Sequence, residues 1–274
     1  MIRVVPVLGV FLCLFVFLSG FFLPSSVVHQ ESEGVFLTGE RLEYKVKWLF
    51  FRLGTITVTT NRVPDTPGIF RTSITLDSNP DLFFISIHNR YEALVNSDPV
   101  RCEEFRSLEI DGDDTLLTSY TFDESTRRVH MWQSVLPADS VLREEIKDSV
   151  DRFYDGASLF FFARTMLHKD TSLTVPTLVE FDMFSTDLTV TSEVVPTEIG
   201  SMEEPIITRE LFGRANFEGS TFGGFSGDFK GWFSNDAAAV PIRAEMSITL
   251  GTVNIELERW IRDGWAPPKR NLQR

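Results

Sequence analysis

The stretch that decides the fold lies near the C-terminus and reads Ile242-Arg243-Ala244-Glu245-Met246-Ser247-Ile248-Thr249-Leu250. Its even-numbered residues are apolar, and its odd-numbered residues are polar or charged. Successive side chains of a β-strand point to opposite faces, so this two-residue period predicts a half-buried strand. Residues 42–48 show the same alternation, with Leu42, Tyr44, Val46 and Trp48 on the apolar face.

Beyond Gly251 the apolar residues move to odd positions, at Val253, Ile255 and Leu257. A straight strand would turn this apolar set to the opposite face, so a turn must intervene. A two-residue turn at Gly251 and Thr252 suits type II′ and predicts a hairpin. In this hairpin Leu250 lies opposite Val253, Ile248 opposite Ile255 and Met246 opposite Leu257.

The segment Leu53-Gly54-Thr55-Ile56 has a similar signature, but Ile56 and Val58 keep the parity of residues 42–48. A hairpin turn there is favoured by analogy, and a bulged continuous strand is the alternative. Further strands are predicted at residues 69–76, 89–95, 102–110, 118–122, 127–133, 178–184, 188–194, 207–214 and 229–233. Residues 219–231 are rich in glycine and phenylalanine and predict a flexible hairpin loop.

One segment departs from the strand pattern and predicts a short helix near residues 155–168. Residues Asp155-Gly156-Ala157-Ser158 form an N-cap-like start, and the residues after Ser158 are apolar almost all round. Such a helix is normally buried, so it would plug one end of a barrel or lie across a curved sheet. The predicted fold is therefore mainly β: an antiparallel meander forming a curved sheet, half-barrel or barrel, with one apolar helix.

The N-terminus predicts export. Residues 4–23 carry no charge and are almost wholly apolar, and small residues follow at Ser25 and Ser26. Residues 1–26 are therefore a signal peptide, or alternatively a retained membrane anchor. Val10, Phe11 and Leu12 precede Cys13, which does not fit a lipoprotein signal. We expect a linker at 27–37, one β-rich domain at 38–265 and a tail at 266–274, in the periplasm or envelope of a Gram-negative bacterium.

Composition and motifs indicate no catalytic, cofactor-binding or metal-binding residues. The 274-residue chain has a net charge of -13, which argues against a nucleic-acid partner. The four histidines are not spaced as zinc ligands. Ser226 lies in Gly224-Phe225-Ser226-Gly227, where the second glycine comes one place too early for a nucleophile elbow. Cys102 is the only cysteine after Cys13 and predicts an inert packing residue.

Three stretches together resemble the bacterial exported-protein family known as domain of unknown function 3108. They are residues 39–48 (GERLEYKVKW) with Gly54-Thr55, residues 154–164 (YDGASLFFFAR), and residues 229–236 (FKGWFSND) followed by Val240-Pro241-Ile242 and Leu250-Gly251-Thr252-Val253. The resemblance implies an exported barrel or half-barrel and transfers no catalytic residue.

These observations predict a non-enzymatic envelope protein whose curved sheet encloses an apolar cavity for a lipid or other hydrophobic molecule. Candidate lining residues are Tyr44, Trp48, Phe160, Phe161 and Met246. The alternative is a structural or assembly partner of another envelope protein, acting through sheet edges or the Phe-rich residues 217–233. An unrecognised hydrolase is the third hypothesis. Membrane contact is expected only through residues 4–23, if they are retained.

Overall fold

The computed structural model describes residues 32–82, 86–111, 114–138, 140–216, 225–248 and 251–269. Within them the chain forms two helices, α1 (Ser32–Val35) and α2 (Gly156–Met166), and 14 strands. The strands are β1 (Glu40–Trp48), β2 (Phe51–Arg62), β3 (Ile69–Ser78), β4 (His88–Ser97), β5 (Val100–Asp111), β6 (Asp114–Asp123), β7 (Arg128–Leu136), β8 (Ser140–Lys147), β9 (Thr171–Val179), β10 (Asp182–Thr197), β11 (Ile206–Ala215), β12 (Phe225–Ser234), β13 (Pro241–Ile248) and β14 (Gly251–Ile261).

All the strands belong to one sheet, in the order β8-β7-β6-β5-β4-β3-β2-β1-β14-β13-β12-β11-β10-β9. Every neighbouring pair is antiparallel. The first strand, β1, also pairs with the last strand, β14, and this pairing joins the two halves of the meander in one sheet. The sheet itself is not closed, because β8 and β9 are its two edges. The predicted mainly β meander with one apolar helix is therefore confirmed, in its open form.

The strand alternation gives the sheet an apolar inner face and a polar outer face. In β1 the residues Leu42, Tyr44 and Val46 are buried, and Glu43 and Lys45 between them are partly exposed. Helix α2 packs on the inner face against β4 and β5. Phe161 in this helix stacks on Phe36 with ring centroids 4.3 Å apart. The core is thus a layer of apolar side chains between a curved sheet and the helix.

Helix α2 begins where the sequence predicted. Asp155 is its N-cap, and its carboxylate accepts a hydrogen bond from the Ser158 backbone N–H at 2.6 Å. The Ser158 hydroxyl in turn accepts from the Asp155 backbone N–H at 2.9 Å, which completes a capping box. This reciprocal pair satisfies two backbone donors that the first turn would otherwise leave free.

Two predicted turns lie elsewhere. The β1–β2 turn is at Leu49 and Phe50, and β2 runs continuously through Gly54, so the predicted hairpin at residues 54–55 is wrong. A Cβ atom at Gly54 would lie 2.3 Å from the Asp77 carbonyl oxygen of β3, so close strand approach demands this glycine. In the last hairpin Ile248 pairs with Gly251, which places the turn two residues earlier than predicted.

Two further segments correct the sequence predictions. Residues 178–184 are not one strand, because Glu180 and Phe181 form the turn between β9 and β10. The predicted loop at 219–231 is strand β12 from Phe225 onward, and Phe229 is buried. Residues 219–224 of that loop lie outside the described residues. Strand β8 was not predicted, because almost all its side chains are exposed and no alternation results.

The two ends of the sheet differ. The "tip end" holds the β1–β2 turn, and at the opposite "entry end" the Gly39 N–H donates to the Thr60 carbonyl oxygen at 2.9 Å. Val35 and Phe36 are buried at the entry end, and the Ile207 N–H donates to the Pro268 carbonyl oxygen at 2.8 Å. Among the described residues, no helix has the length and apolarity to cross a membrane.

Candidate functional site

A small apolar cavity lies between the inner face of the sheet and the first turns of α2. Its volume is about 40 Å³, and nearly all of its wall is apolar. A single water needs roughly 10–15 Å³ measured in this way, so the cavity has room for a few atoms. Its lining residues are Tyr44, Ile56, Val58, Ile74, Gly156, Phe160, Pro241, Arg243, Ala244 and Ile255.

Two residues of this wall, Tyr44 and Arg243, have a buried polar atom without a hydrogen-bond partner within the described part of the chain: the Tyr44 hydroxyl and the Arg243 Nε. Tyr44 is 4% exposed. Burial raises the pKa of the Tyr44 hydroxyl, while the positive charge of Arg164 opposes the rise. The hydroxyl is therefore a neutral donor and acceptor beside an apolar space. Leaving such a group unpaired costs roughly 1–3 kcal/mol.

The five residues predicted to line a cavity divide into two groups. Tyr44 and Phe160 line the cavity described above. Phe161 and Met246 are buried in the core outside its lining, and Trp48 packs half-buried at the tip end. The physical reason is that alternation assigns a side chain to the inner face but does not show where the packing leaves a gap. The lining residues Ile56, Val58, Ile74 and Ala244 share this face, so alternation alone could not single them out.

A buried cluster of charges adjoins the cavity at the entry end. Glu40 of β1 accepts two hydrogen bonds from the guanidinium of Arg164 in α2, each of 2.9 Å. Arg262, just after β14, donates to the same carboxylate and to the carbonyl oxygens of Gly34 and Val35. Glu40 and Arg164 are each 1% exposed, so the helix is fastened to the sheet by a two-pronged ion pair without solvent.

This cluster joins the three stretches that carry the family resemblance. Arg164 also donates to the carbonyl oxygen of Ala238, at 3.0 Å from Nη2. That loop is held by Asp236, whose carboxylate accepts from the backbone N–H groups of Ala238 and Ala239 at 3.0 and 3.1 Å and from Trp265 Nε1 at 2.9 Å. The sequence did not predict the cluster, and its only signal was a lone arginine in an apolar helix.

The electrostatics of the cluster are dominated by its two arginines. Burial by itself would raise the pKa of Glu40, but the attraction and hydrogen bonds of Arg164 and Arg262 outweigh it. The pKa of Glu40 therefore lies below its usual value, and the carboxylate stays ionised. Burial lowers the pKa of Arg262, and Glu40 counters this effect. The cluster thus holds two guanidiniums and one carboxylate, and the carbonyl oxygens of Gly34, Val35 and Ala238 accept the other hydrogen bonds of the two arginines.

A second buried polar site contains Cys102 and Asp155. The thiol is 1% exposed, and burial raises its pKa well above the usual value, with the negative charge of Asp155 adding to the rise. A protonated and inaccessible thiol is a poor nucleophile. Within the ranges described above, no group of three or more histidine, cysteine, aspartate or glutamate side chains is arranged to hold a metal ion. The burial of Cys102 is thus that of a residue that packs in the core.

Comparisons with solved structures show a similar fold. A β-barrel-like protein with domain of unknown function DUF1849 from Brucella abortus superposes with a TM-score of 0.56 and 8% identity, covering 84% of this chain and 100% of that chain. A candidate exported protein with a YmcC-like fold from Bacteroides fragilis gives 0.36 and 8%, covering 83% and 98%. A candidate lipoprotein from Parabacteroides distasonis gives 0.33 and 11%, covering 83% and 97%. At such identities, the first likeness supports the fold alone.

Sequence comparison identifies the family directly. No curated protein matches the chain. The family profile described as protein of unknown function (DUF3108) matches residues 43–258, which is most of the chain. This range holds Arg164 and all the residues that line the cavity, and Glu40 and Arg262 lie just outside it. The chain therefore belongs to the DUF3108 family.

Proposed function

We propose that this protein is a non-catalytic, exported envelope protein that binds the apolar part of a hydrophobic molecule beside Tyr44. The observation that carries the proposal is the buried Tyr44 hydroxyl at the wall of an apolar cavity, which has no partner among the residues that the structure describes. A ligand with a hydroxyl, ester or carboxyl group would supply the missing hydrogen bond. Pockets for small molecules combine an apolar wall with few polar groups in this way.

The size of the cavity limits what the ligand places there. A space of about 40 Å³ takes the end of an alkyl chain or a branched methyl group, and the rest of the ligand must lie elsewhere. Phe160 lines the cavity and is 6% exposed, so rotation of its ring is the simplest way to lengthen the space. We therefore expect a ligand with one narrow apolar end that carries an oxygen atom within hydrogen-bond reach of the Tyr44 hydroxyl, such as a hydroxylated or esterified acyl chain.

Native mass spectrometry of the gently purified full chain tests the proposal. We expect a bound hydrophobic molecule in the wild type and much less of it in Ala244→Val, because the added methyl groups fill the cavity. Tyr44→Phe should weaken retention by removing the hydrogen-bonding group. Ala93→Val is the matched control, since Ala93 is buried but does not line the cavity. A wild type that is always empty would overturn the proposal.

A second candidate function is assembly with another envelope protein through the free sheet edge. Strand β8 is one edge of the sheet, and Val141, Leu142 and Ile146 in it are 63%, 58% and 56% exposed. An edge with unpaired backbone groups and apolar side chains is suited to strand addition. The Phe-rich segment is a poorer candidate than predicted, because Phe229 and Phe233 are buried in β12.

Crosslinking in the native envelope separates the two candidates. Leu142→Lys places a charge on the free edge and should abolish crosslinks to an envelope protein without unfolding the domain. Ile261→Lys is the control, because Ile261 is 63% exposed but lies in β14 within the sheet. An unchanged crosslinking pattern in Leu142→Lys would exclude assembly through β8.

A further inference from the structure

The β1–β2 turn presents three large apolar side chains to solvent. Leu49 is 62% exposed, Phe50 is 81% exposed and Phe51 is 45% exposed. The rings of Phe50 and Phe51 lie 4.2 Å apart, so they form one continuous apolar surface. Turns usually carry glycine, asparagine, aspartate or proline, and Leu49 has a φ of 54°, which is unfavourable for leucine. We call residues 49–51 the apolar tip.

The apolar tip is small and protrudes from the sheet, and these two properties limit the kind of partner that it can bind. A large apolar or aromatic side chain buries at most roughly 150–250 Å². Three such side chains therefore bury less than the roughly 800 Å² per partner of a stable protein interface. A fluid lipid layer has no shape of its own to match and accepts a protruding apolar turn. Trp48 directly behind the tip is half-buried, and tryptophan favours the boundary between lipid and water.

The charges around the apolar tip indicate that the tip would enter a lipid layer without electrostatic attraction to anionic lipids. Lys47 Nζ lies 2.6 Å from the carboxylate of Glu256, and Arg52 lies 2.7 Å from that of Glu258. The cations nearest the tip are thus already neutralised by β14. The whole chain has a net charge of -13, which would repel an anionic surface. A zwitterionic lipid surface is therefore the partner that fits both the apolar side chains and the charge.

We propose that the apolar tip inserts into the interfacial layer of a zwitterionic lipid bilayer and holds the tip end of the sheet against it. This contact is separate from residues 4–23, because the N-terminal segment joins the sheet at the entry end, where Gly39 pairs with Thr60. It depends only on the exposed side chains of the turn, so it stands whether or not the cavity beside Tyr44 holds a ligand.

Site-specific labelling of the full chain tests the contact. An environment-sensitive nitrobenzoxadiazole label is attached at Phe50→Cys, in a Cys13→Ser background in which Cys102 stays buried. With phosphatidylcholine vesicles we expect a blue-shifted, severalfold stronger emission that doxyl-labelled lipids quench. The same label at Thr66→Cys, in the exposed turn at the other end of β2, is expected to show neither change.

The control distinguishes the tip from the N-terminal segment. A chain held only by residues 4–23 would bring the entry end, and therefore the label at residue 66, nearest the lipid. Emission at residue 50 that is the same with vesicles as in buffer would overturn the proposal. An equal response at both positions would overturn it as well.

A second measurement uses the label at Phe51→Cys and compares two serine variants. Phe50→Ser should raise the vesicle concentration needed for half-maximal emission by about tenfold, because one exposed aromatic side chain no longer enters the lipid. Phe212→Ser is the matched control, since Phe212 is 40% exposed on β11, far from the tip in sheet order. Equal partitioning of both variants, or partitioning that salt strongly weakens, would contradict insertion of the apolar tip.

Discussion

Glu40 and Tyr44 lie on the same inner face of β1, on either side of Leu42, and both carry a buried polar group. Glu40 is 1% exposed and has two arginine partners, whereas Tyr44 is 4% exposed and its hydroxyl has none in the part of the chain that is described. Burial is tolerated when hydrogen bonds replace those of water and costs free energy when they do not. Glu40 thus fastens α2 to the sheet, whereas the Tyr44 hydroxyl is the group on which the proposed ligand binding rests.

The largest expected effect comes from removing the Glu40 carboxylate. Glu40→Ala leaves the buried guanidinium of Arg164 and that of Arg262 without their carboxylate. Removing one partner from such a buried pair costs roughly 3–5 kcal/mol. Urea unfolding followed by circular dichroism should show this loss in the free energy of unfolding.

A triple variant provides the control for this cluster. Glu40→Leu, Arg164→Met and Arg262→Met together remove all its charges and should cost less than Glu40→Ala alone, because no charge is left uncompensated. A loss below about 1 kcal/mol in Glu40→Ala would show that the cluster does not hold α2 to the sheet.

Glu109, which has no salt-bridge partner among the described residues, extends the comparison to the effect of pH. Burial raises the pKa of Glu109 to about 7, and the negative charge of Glu180 adds to the rise. The folded state therefore binds a proton more tightly than the unfolded state, whose pKa is near 4.5. Stability from this group is present below about pH 4.5 and is lost as the pH rises towards 7.

Glu109→Gln should remove this dependence. We expect the variant to be more stable than the wild type by about 1–3 kcal/mol near pH 8 and similar to it near pH 4. Thermal unfolding across this pH range measures the difference. Glu193→Gln, at an exposed position, should show no such change. A constant difference between Glu109→Gln and the wild type at all pH values would contradict the raised pKa.

The smallest expected effect concerns the Tyr44 hydroxyl. Tyr44→Phe removes an unpaired buried group and should stabilise the ligand-free protein by roughly 1 kcal/mol in urea unfolding. Tyr91→Phe is the matched control, because the buried Tyr91 hydroxyl accepts a hydrogen bond from Asn89 at 3.2 Å. That variant should be destabilised. Equal destabilisation of both would show that the Tyr44 hydroxyl already has a partner in the folded protein.

The strands were predictable because alternation is a local property, but their register was not. Pairing Met246 with Leu257, as predicted, or with Val253, as observed, buries the same faces. Two registers that differ by an even number of residues cannot be told apart from the apolar pattern. Gly54 was interpreted as a turn residue, but glycine also occurs where two strands approach closely. Only the position of the Asp77 carbonyl oxygen in β3 shows that close approach is the reason here.

The candidate site was predictable in part. Tyr44 and Phe160 were identified because an inward aromatic side chain and an apolar helix favour a common core. The cluster of Glu40, Arg164 and Arg262 was not identified, because 124 residues separate the first two in sequence and nothing local links them. The apolar tip was missed for a related reason: the hairpin turn was placed at residues 54–55, inside a continuous strand.

The sequence by itself determined the antiparallel meander, the N-cap of α2 and the family, because alternation, capping and family motifs each depend on residues that are close together in the chain. The tertiary structure decided which inner side chains pack tightly and which leave a cavity, which charges meet, and that residues 49–51 lie at an exposed turn. These properties depend on contacts between strands that are distant in sequence, and a one-dimensional pattern does not carry that information.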